Sequence, residues 1–371
     1  MIQIDKFPAE NKVCLDGNST IVSITSSNGL GFYFRAKIYI NDELFDEQSW
    51  SRKNDKTAEK DLKKLYHAYF ETVFKSNIIN GLEQQNHLLK KVSIIVEEYN
   101  LANDILVQSL NLPQFYLMYN VKPVLFDDTI KVQLLDGRSE LLQISSKGKI
   151  AVPFMVNALN ETLTVELIDN YGNVINSLGK SNFSDKRVYQ YFFDLATVSI
   201  PESTLYLTLK ISVGNTFVAK NFRFFNSSQY SIKEIVFANN FGYWVYAYLD
   251  GKLTIENNID TKTYEQNDGF EKVYEINEKE TYTLNSGTLL LSEKNILNQI
   301  CTAIEAKIYW QTKYISLVNA TKKINTYNER EYLYSENLSF SVRENTDIDN
   351  QLSTRKAYYS NKYNPSYYKT N

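Results

Sequence analysis

Histidine is the side chain that most often moves protons in enzymes, and this chain has two, His67 and His87. The sequence contains no G-x-S-x-G, no P-loop, no G-x-G-x-x-G and no Cys/His cluster that would supply a nucleophile, a phosphate cradle or a zinc site. His67 follows Tyr66 in a segment with helical periodicity, so we interpret it as a helix-face residue. We therefore predict no catalytic residue, no cofactor-binding residue, no cofactor and no metal ligand, and expect a protein that is not an enzyme.

Two acidic stretches have the residue types of a calcium loop. Asp127-Asp128 and the run from Asp169 to Asn173 supply oxygen ligands at close spacing, but neither is followed by the distal glutamate that completes such a loop. The second stretch has the composition of an ordinary turn. Glu97 and Glu98 are adjacent and point to opposite faces of a strand, so they do not converge on one substrate.

Aromatic side chains dominate the composition. The chain has 371 residues, with 28 Tyr and 20 Phe against 13 Gly and 6 Pro, which favours β-rich domains with large contact surfaces. Its length exceeds what one core usually organises, so two or three domains are expected. A net charge of −3 disfavours duplex nucleic acid as a direct partner. Cys14 and Cys301 fit no metal or disulfide spacing and are interpreted as buried or partly buried thiols.

The row Trp244, Tyr246 and Tyr248 is the one feature with the residue types of a sugar-stacking platform. These aromatic residues alternate with Val245, Ala247 and Leu249, which indicates that both faces of the strand are covered. We therefore favour a core or a subunit interface over ligand binding. The strand ends at Asp250-Gly251, a pair typical of a type I′ hairpin turn, and so Tyr230 to Glu256 is predicted to form a β-meander.

The elements that hold these residues are predicted to be mainly β-strands. The apolar spacing of Thr57–Phe74 predicts the longest helix, and a shorter one is expected at Ser292–Ala303. Ser19–Thr25 and Phe32–Ile40 are predicted to form an antiparallel pair. The other predicted strands are Leu88–Val96, Thr129–Leu135, Lys149–Val156, Thr162–Ile168, Thr204–Val213, Glu271–Ile276, Glu280–Leu284, Ala306–Trp310, Tyr314–Val318 and Ser335–Val342.

We predict a multi-domain chain of β-sandwich-like units. Its divisions are an N-terminal β-rich domain with the helix at 57–74, a β-sandwich-like domain, a C-terminal β-rich domain with the helix at 292–303, and an extended tail; they span 1–118, 119–228, 229–344 and 345–371. Asn226-Ser227-Ser228 is a plausible hinge between the second and third.

The tail has almost no aliphatic residues, so by composition it does not fold alone. It carries five tyrosines, each able to bury a ring and keep its hydroxyl wet. We predict that this tail lies against a neighbouring subunit through Tyr358, Tyr359, Tyr363, Tyr367 and Tyr368.

The stretch KEIVFANNFGYWVYAYLDGKL, from Lys233 to Leu253, resembles a strand–turn–strand signature of structural proteins from tailed phages that infect Bacteroidota, including crAss-like phages. The early Phe7-Pro8 and the segment AEKDLKKLYHAYF are similar to theirs as well. The resemblance covers about the first hundred residues and the section from Tyr230 to about Val342. It departs at Asn240, where an arginine is expected, and at Val245, where an aspartate often stands.

The resemblance implies a structural virion protein, a subunit of a phage tail, baseplate or neck ring that acts through self- and cross-association. The alternative is a carbohydrate-binding or host-receptor-recognition module at the tail tip. The expected partners of the structural virion protein are other virion proteins and further copies of itself in a ring. No direct contact with nucleic acid and no membrane insertion are expected. The first residues lack a basic region followed by an apolar run, so we expect synthesis in the host cytoplasm without a signal peptide, and a final location in the virion.

Overall fold

A computed structural model describes residues 1–54, 56–136, 141–158, 160–180, 186–225, 230–265, 271–324 and 333–342. The chain is mainly β, multi-domain and built from several sheets, as its alternating aromatic pattern predicts. The described strands of the first section are β1 (Ile2–Lys6), β2 (Val13–Leu15), β3 (Ile21–Ser26), β4 (Phe32–Ile40), β5 (Glu43–Trp50), β6 (Thr57–Asp61), β7 (Gly81–Gln84), β8 (Leu89–Asn100), β9 (Ile105–Asn111) and β10 (Phe115–Met118).

All of these strands except β7 form two sheets that share one core. The smaller has the order β1-β3-β6, and the larger has the order β2-β10-β8-β4-β5 with β9 also paired to β8. Ile24 from the smaller sheet packs in the same cluster as Phe34 and Ile94 from the larger one. The prediction that β3 and β4 pair with each other is therefore wrong, since they lie in different sheets.

The predicted helix at 57–74 is also wrong. Thr57–Asp61 is strand β6, which pairs antiparallel with β3 and places Ala58 opposite Ile24. Beyond it the chain has a positive φ of 59° at Lys64 and only a short 3₁₀ turn at His67–Tyr69. Ala58 and Leu62 are four residues apart, a spacing that fits one face of a strand as well as one face of a helix. Pairing with β3 decides between the two, because sheet contacts override a weak local propensity.

The middle section is a β-sandwich. Its strands are β11 (Val132–Leu134), β12 (Leu141–Ile144), β13 (Lys149–Val156), β14 (Leu163–Asp169), β15 (Val174–Lys180), β16 (Arg187–Asp194), β17 (Tyr206–Val213) and β18 (Thr216–Phe224). One sheet has the order β11-β13-β16-β7 and the other β12-β18-β17-β14-β15. Phe154 and Tyr191 of the first meet Leu209 of the second in one core. Strand β7, from the first section of the chain, extends the first of these sheets by pairing with β16.

The third section contains the only α-helix among the described residues, α1 (Asn295–Thr302), close to its predicted position. Its strands are β19 (Lys233–Ala238), β20 (Trp244–Leu249), β21 (Leu253–Glu265), β22 (Glu271–Asn285), β23 (Leu289–Leu290), β24 (Ala306–Trp310), β25 (Lys313–Asn319), β26 (Leu333–Tyr334) and β27 (Asn337–Val342). The main sheet has the order β20-β19-β24-β25-β27-β22-β21, and β23 pairs with β26. The predicted strands Ala306–Trp310 and Tyr314–Val318 correspond to β24 and β25, which form an antiparallel hairpin.

The predicted meander is half right. β19 and β20 pair antiparallel, but β20 and β21 stand at opposite ends of the sheet order and do not form a hairpin. Gly251 has no positive φ; it is needed for space, because a Cβ there would lie 2.2 Å from the carbonyl oxygen of Asn285. The Asp-Gly pair is thus a crossing point between distant strands. The sequence identified a turn there but not its partner strands.

Asn226-Ser227-Ser228, the predicted hinge, lies outside the described residues, and the division at 118/119 and 228/229 stays a prediction.

Candidate functional site

The aromatic row of β20 lies inside the protein. Trp244, Tyr246 and Tyr248 are each 5–6% exposed and pack in the core of the middle sandwich, where Trp244 contacts Phe74 with ring centroids 4.9 Å apart. The alternate residues Val245, Ala247 and Leu249 pack in the core of the third section. One strand therefore belongs to two cores, which confirms the core interpretation of this row and leaves no open platform for a sugar ring.

A polar cluster lies at the end of this row. The hydroxyl of Tyr248 accepts a hydrogen bond from the backbone N–H of Lys149. Lys149 Nζ donates to the hydroxyl of Tyr314 at 2.9 Å and lies 3.6 Å from Glu234 Oε1. Burial, followed by the negative charge of Glu234, raises the pKa of Tyr248 and Tyr314 well above the ordinary value. Both phenols stay protonated at neutral pH, so this cluster is a hydrogen-bonded link between strands.

The turn between β19 and β20 fastens the third section to the chain before it. Asn239 Oδ1 accepts the backbone N–H groups of Phe241 and Tyr243, and its Nδ2 donates to the carbonyl of Leu135 at 2.7 Å. Gly242 has a φ of +78°, and a Cβ there would lie 2.9 Å from the ring of Tyr119. Local geometry explains the run Asn239-Asn240-Phe241-Gly242. The side-chain amide of Asn239 closes the turn, and Gly242 lets the turn approach the ring of Tyr119.

The sequence analysis placed His67 on the face of an α-helix. In the structure it begins the short 3₁₀ turn His67–Tyr69. Its Nδ1 is 3.2 Å from Oδ2 of the buried Asp16, and its ring stacks on Tyr119 with centroids 5.0 Å apart. Burial raises the pKa of Asp16, opposed by the backbone N–H of Tyr66 and by His67. His67 borders an open cleft of about 470 Å³. A separation of 51 residues between the two partners explains why sequence reasoning missed the pair.

His87 is a packed residue. Its ring contacts Tyr243 edge-on at 6.1 Å, and burial, then the charges of Lys90 and Lys75, lowers its pKa.

The acidic stretches behave as turns within the described chain. Asp169 accepts hydrogen bonds from Tyr171 N and Asn173 N at 2.8 Å each, the turn chemistry expected for it. Asp128 Oδ2 accepts from Val13 N and from Lys186 Nζ. No group of three or more His, Cys, Asp or Glu side chains able to hold a metal ion occurs among the described residues.

The two cysteines are free thiols. Cys14 is buried and Cys301 is partly buried, as expected from their isolated positions. Burial is the main cause that raises the pKa of both thiols.

An open groove of about 530 Å³ runs between α1 and the loop that precedes β11. Amide side chains predominate among its polar residues. Gln133 Oε1 and Gln299 Nε2 are shielded from water and have no hydrogen-bond partner among the described residues. Leu125, at 89% exposed, adds an apolar rim. The groove therefore presents mainly neutral polar side chains.

The hairpin of β21 and β22 is a long, exposed element, which we call the arm. One face carries four exposed apolar residues interspersed with Asn257, Glu278 and Glu280, and the opposite face is polar except for Tyr264. These apolar residues are Ile255, Ile259, Val273 and Ile276, at 38%, 61%, 51% and 59% exposure. Exposed apolar rows of this kind mark association surfaces. The sequence analysis ended the predicted meander at Glu256 and so missed the second half of β21, which includes Ile259.

The tail tyrosines Tyr358, Tyr359, Tyr363, Tyr367 and Tyr368 lie outside the described residues, so their predicted contact with a neighbouring subunit stays a prediction. In the part of the chain that the structure describes, no helix has the length and apolar character needed to cross a bilayer.

Comparison with known proteins gives no family. No family model matches the chain, and no curated protein matches it. Among solved structures it is similar to a three-domain titin fragment, I67–I69 carrying E-to-A mutations, at 8% identity over 85% of this chain and 95% of that chain, with a TM-score of 0.21. It is also similar to Dpr2 Ig1-Ig2 in complex with DIP-Theta Ig1-Ig3, at 9% identity over 93% and 90%, with a TM-score of 0.22. Scores this low carry no argument about function.

Proposed function

We propose that this protein is a non-enzymatic structural subunit of a phage particle, in the tail, baseplate or neck ring, and that it acts by associating with copies of itself and with other virion proteins. The observation that carries the proposal is the arm, whose two long strands present exposed isoleucine and valine side chains on one face. An apolar face of this kind is stabilised when a partner covers it.

Two further features support the same role. Strand β20 is shared by two cores, and the Asn239 turn is hydrogen-bonded to Leu135, so buried contacts join the two sections. The resemblance of Lys233–Leu253 to tailed-phage structural proteins is the reason for proposing a phage particle. The tail tyrosines are proposed as a second contact with a neighbouring subunit.

The proposal is tested by locating the protein. An antibody raised against the purified chain should decorate particles of the phage that encodes it, at a fixed position on the tail or neck, and particle proteomics should find the chain at a constant copy number. The pre-immune serum is the control. Abundant protein in infected cells together with its absence from washed particles would contradict the proposal.

A carbohydrate-binding role is a second candidate, and the amide-lined groove favours it. Asn295 and Asn298 of α1 line this groove together with Gln133 and Gln299, and side-chain amides suit the hydroxyl groups of neutral sugars. Asn298→Leu should abolish binding to neutral oligosaccharides in a calorimetric titration, whereas Asn215→Leu, on an exposed turn elsewhere, should leave it unchanged. If the parent protein binds no member of a broad glycan panel, the groove is not a sugar site.

A further inference from the structure

The outer edge of β21 is open among the residues that the structure describes. β21 is the last strand in its sheet, and across its 13 residues no described strand pairs with the side that faces away from β22. A long edge exposes a row of backbone N–H and C=O groups that another strand can pair with. Such an edge accepts a strand of matching length and charge.

The side chains of β21 match a second copy of β21. If two copies run antiparallel about a two-fold axis at Ile259, the midpoint of Leu253–Glu265, then every residue of the strand finds a partner. In that register Glu256 stands opposite the partner's Lys262, and the axis repeats the pair, so two opposite-charge pairs form. Opposite charges directly across a strand pair are stabilising.

Neighbouring registers are penalised. Moving the axis by one residue toward the N-terminus places Glu256 opposite the partner's Asp260, and moving it by one residue toward the C-terminus places Asp260 opposite the partner's Asp260. Like charges directly opposite each other destabilise a strand pair. The register centred on Ile259 therefore combines the longest pairing with favourable charges.

The side chains at this edge are available. Ile259 is 61% exposed, and in this register it meets its own copy across the axis. Lys262 Nζ already contacts Glu275 Oε2 at 2.9 Å on the inner side, with both side chains 40–50% exposed. The partner's Glu256 would approach Lys262 from the outer side, which leaves the lysine between two carboxylates.

We propose that two copies of this chain join edge to edge along β21, with Ile259 at the two-fold axis, to form a continuous sheet through both arms. This inference rests on the proposed self-association and names its surface and register. The two apolar arm faces become one larger face on the same side of the joined sheet.

The first test is a cross-link at the axis. Residues directly opposite in an antiparallel pair have Cβ atoms about 4.5–5.5 Å apart, close enough for a disulfide after a small shift. Ile259→Cys should give a covalent dimer of twice 43.0 kDa on mild oxidation, visible on a non-reducing gel. The parent protein and Leu205→Cys, exposed at 59% in another section, should stay largely uncross-linked. A dimer yield for Ile259→Cys no higher than for Leu205→Cys overturns the proposal.

The second test uses charge reversal in the Ile259→Cys protein. Lys262→Glu or Glu256→Lys alone should slow dimer formation about fivefold, because two exposed attractive pairs become repulsive. Combining the two reversals should restore the parent rate, since the pairing across the axis is again between opposite charges. Adding Glu275→Lys to Lys262→Glu keeps the inner ion pair and should remain slow. Equal rates of dimer formation in the Ile259→Cys protein and all four of its charge variants would rule out this register.

The two proposals fail separately. If the parent assembles into larger species but the cysteine and charge variants behave like their controls, the β21 edge is not the contact and another surface carries association. If the protein is absent from particles but the arm cross-links as expected, the edge pairing stands and the virion role falls.

Discussion

Trp244 shows how much one residue contributes when it lies between sections of the chain. Its ring is 6% exposed and contacts Phe74, while its backbone carbonyl accepts a hydrogen bond from Gln190. Trp244→Ala should lower the free energy of unfolding by roughly 3–5 kcal/mol, the usual cost of deleting a large buried aromatic side chain. Denaturant unfolding measures this directly. Phe217→Ala, at a residue 63% exposed, is the matched control and should change stability little. A Trp244→Ala protein that unfolds like the parent would place the ring outside the core.

Glu98 gives the first section a predictable response to acid. Its carboxylate is fully buried and accepts hydrogen bonds from Ser26 and Asn28. It also forms an ion pair with Arg52 Nη2 at 3.0 Å. Burial alone would raise the pKa of Glu98, but the hydrogen bonds from Gln108, from these two side chains and from Arg52 outweigh burial and lower it. A lowered folded pKa means that Glu98 stabilises the fold above the unfolded pKa of about 4.3, and that this stabilisation is lost as the pH falls through the folded pKa.

Glu98→Gln should therefore have a free energy of unfolding about 3–5 kcal/mol lower than the parent at pH 7, the usual cost of breaking a buried ion pair. This gap in stability between variant and parent should narrow below about pH 4.3. Thermal unfolding of both proteins between pH 7 and pH 3 measures the gap. Glu59→Gln, at a more exposed ion pair with Lys53, should follow the parent at every pH. A gap that stays constant down to pH 3 would show that the charge of Glu98 is not what stabilises the fold.

At the scale of elements, the crossing from β20 to β21 depends on Gly251. A Cβ at this position would lie 2.2 Å from the carbonyl oxygen of Asn285, so backbone must shift to admit it. Gly251→Ala should lower stability by about 1–3 kcal/mol, the cost of overpacking a tight site. Gly29→Ala, where a Cβ meets nothing within 4 Å, is the control and should be close to neutral. Identical melting temperatures for the two variants would mean that the close approach of Gly251 is not required.

The elements also show where sequence reasoning succeeds and where it stops. The strand at Phe32–Ile40 was predicted with its observed bounds because alternating burial leaves a period of two in the sequence. The helix at 57–74 was wrong because Ala58 and Leu62 fit both periods, and only the distant strand β3 decides between them. Local turn chemistry located Asp250-Gly251 but contains no information about which strands pair. The alternation around Trp244 predicted two covered faces, whereas the Asp16–His67 pair and the open edge of β21 arise from long-range topology.

For the whole molecule, the proposal assigns the tail and the arm to two different contacts. Residues after Glu344 hold little aliphatic surface, and ordering each of them costs about 1–2 kcal/mol, so an extended contact with another chain is needed to hold them. Removing residues 345–371 should leave the melting temperature and the dimer joined along β21 unchanged, while larger multimers or particles fail to form. A chain shortened only after Lys369, which keeps all five tail tyrosines, is the control. If the truncated protein assembles as well as the full chain, the tail is not a subunit contact.

The proposed role depends on self-association, which sedimentation velocity of the purified full-length chain over a wide concentration range measures. Species at defined multiples of 43.0 kDa should appear, and their population should rise with concentration, beginning with the dimer joined along β21. A single 43.0 kDa species at every concentration would contradict it.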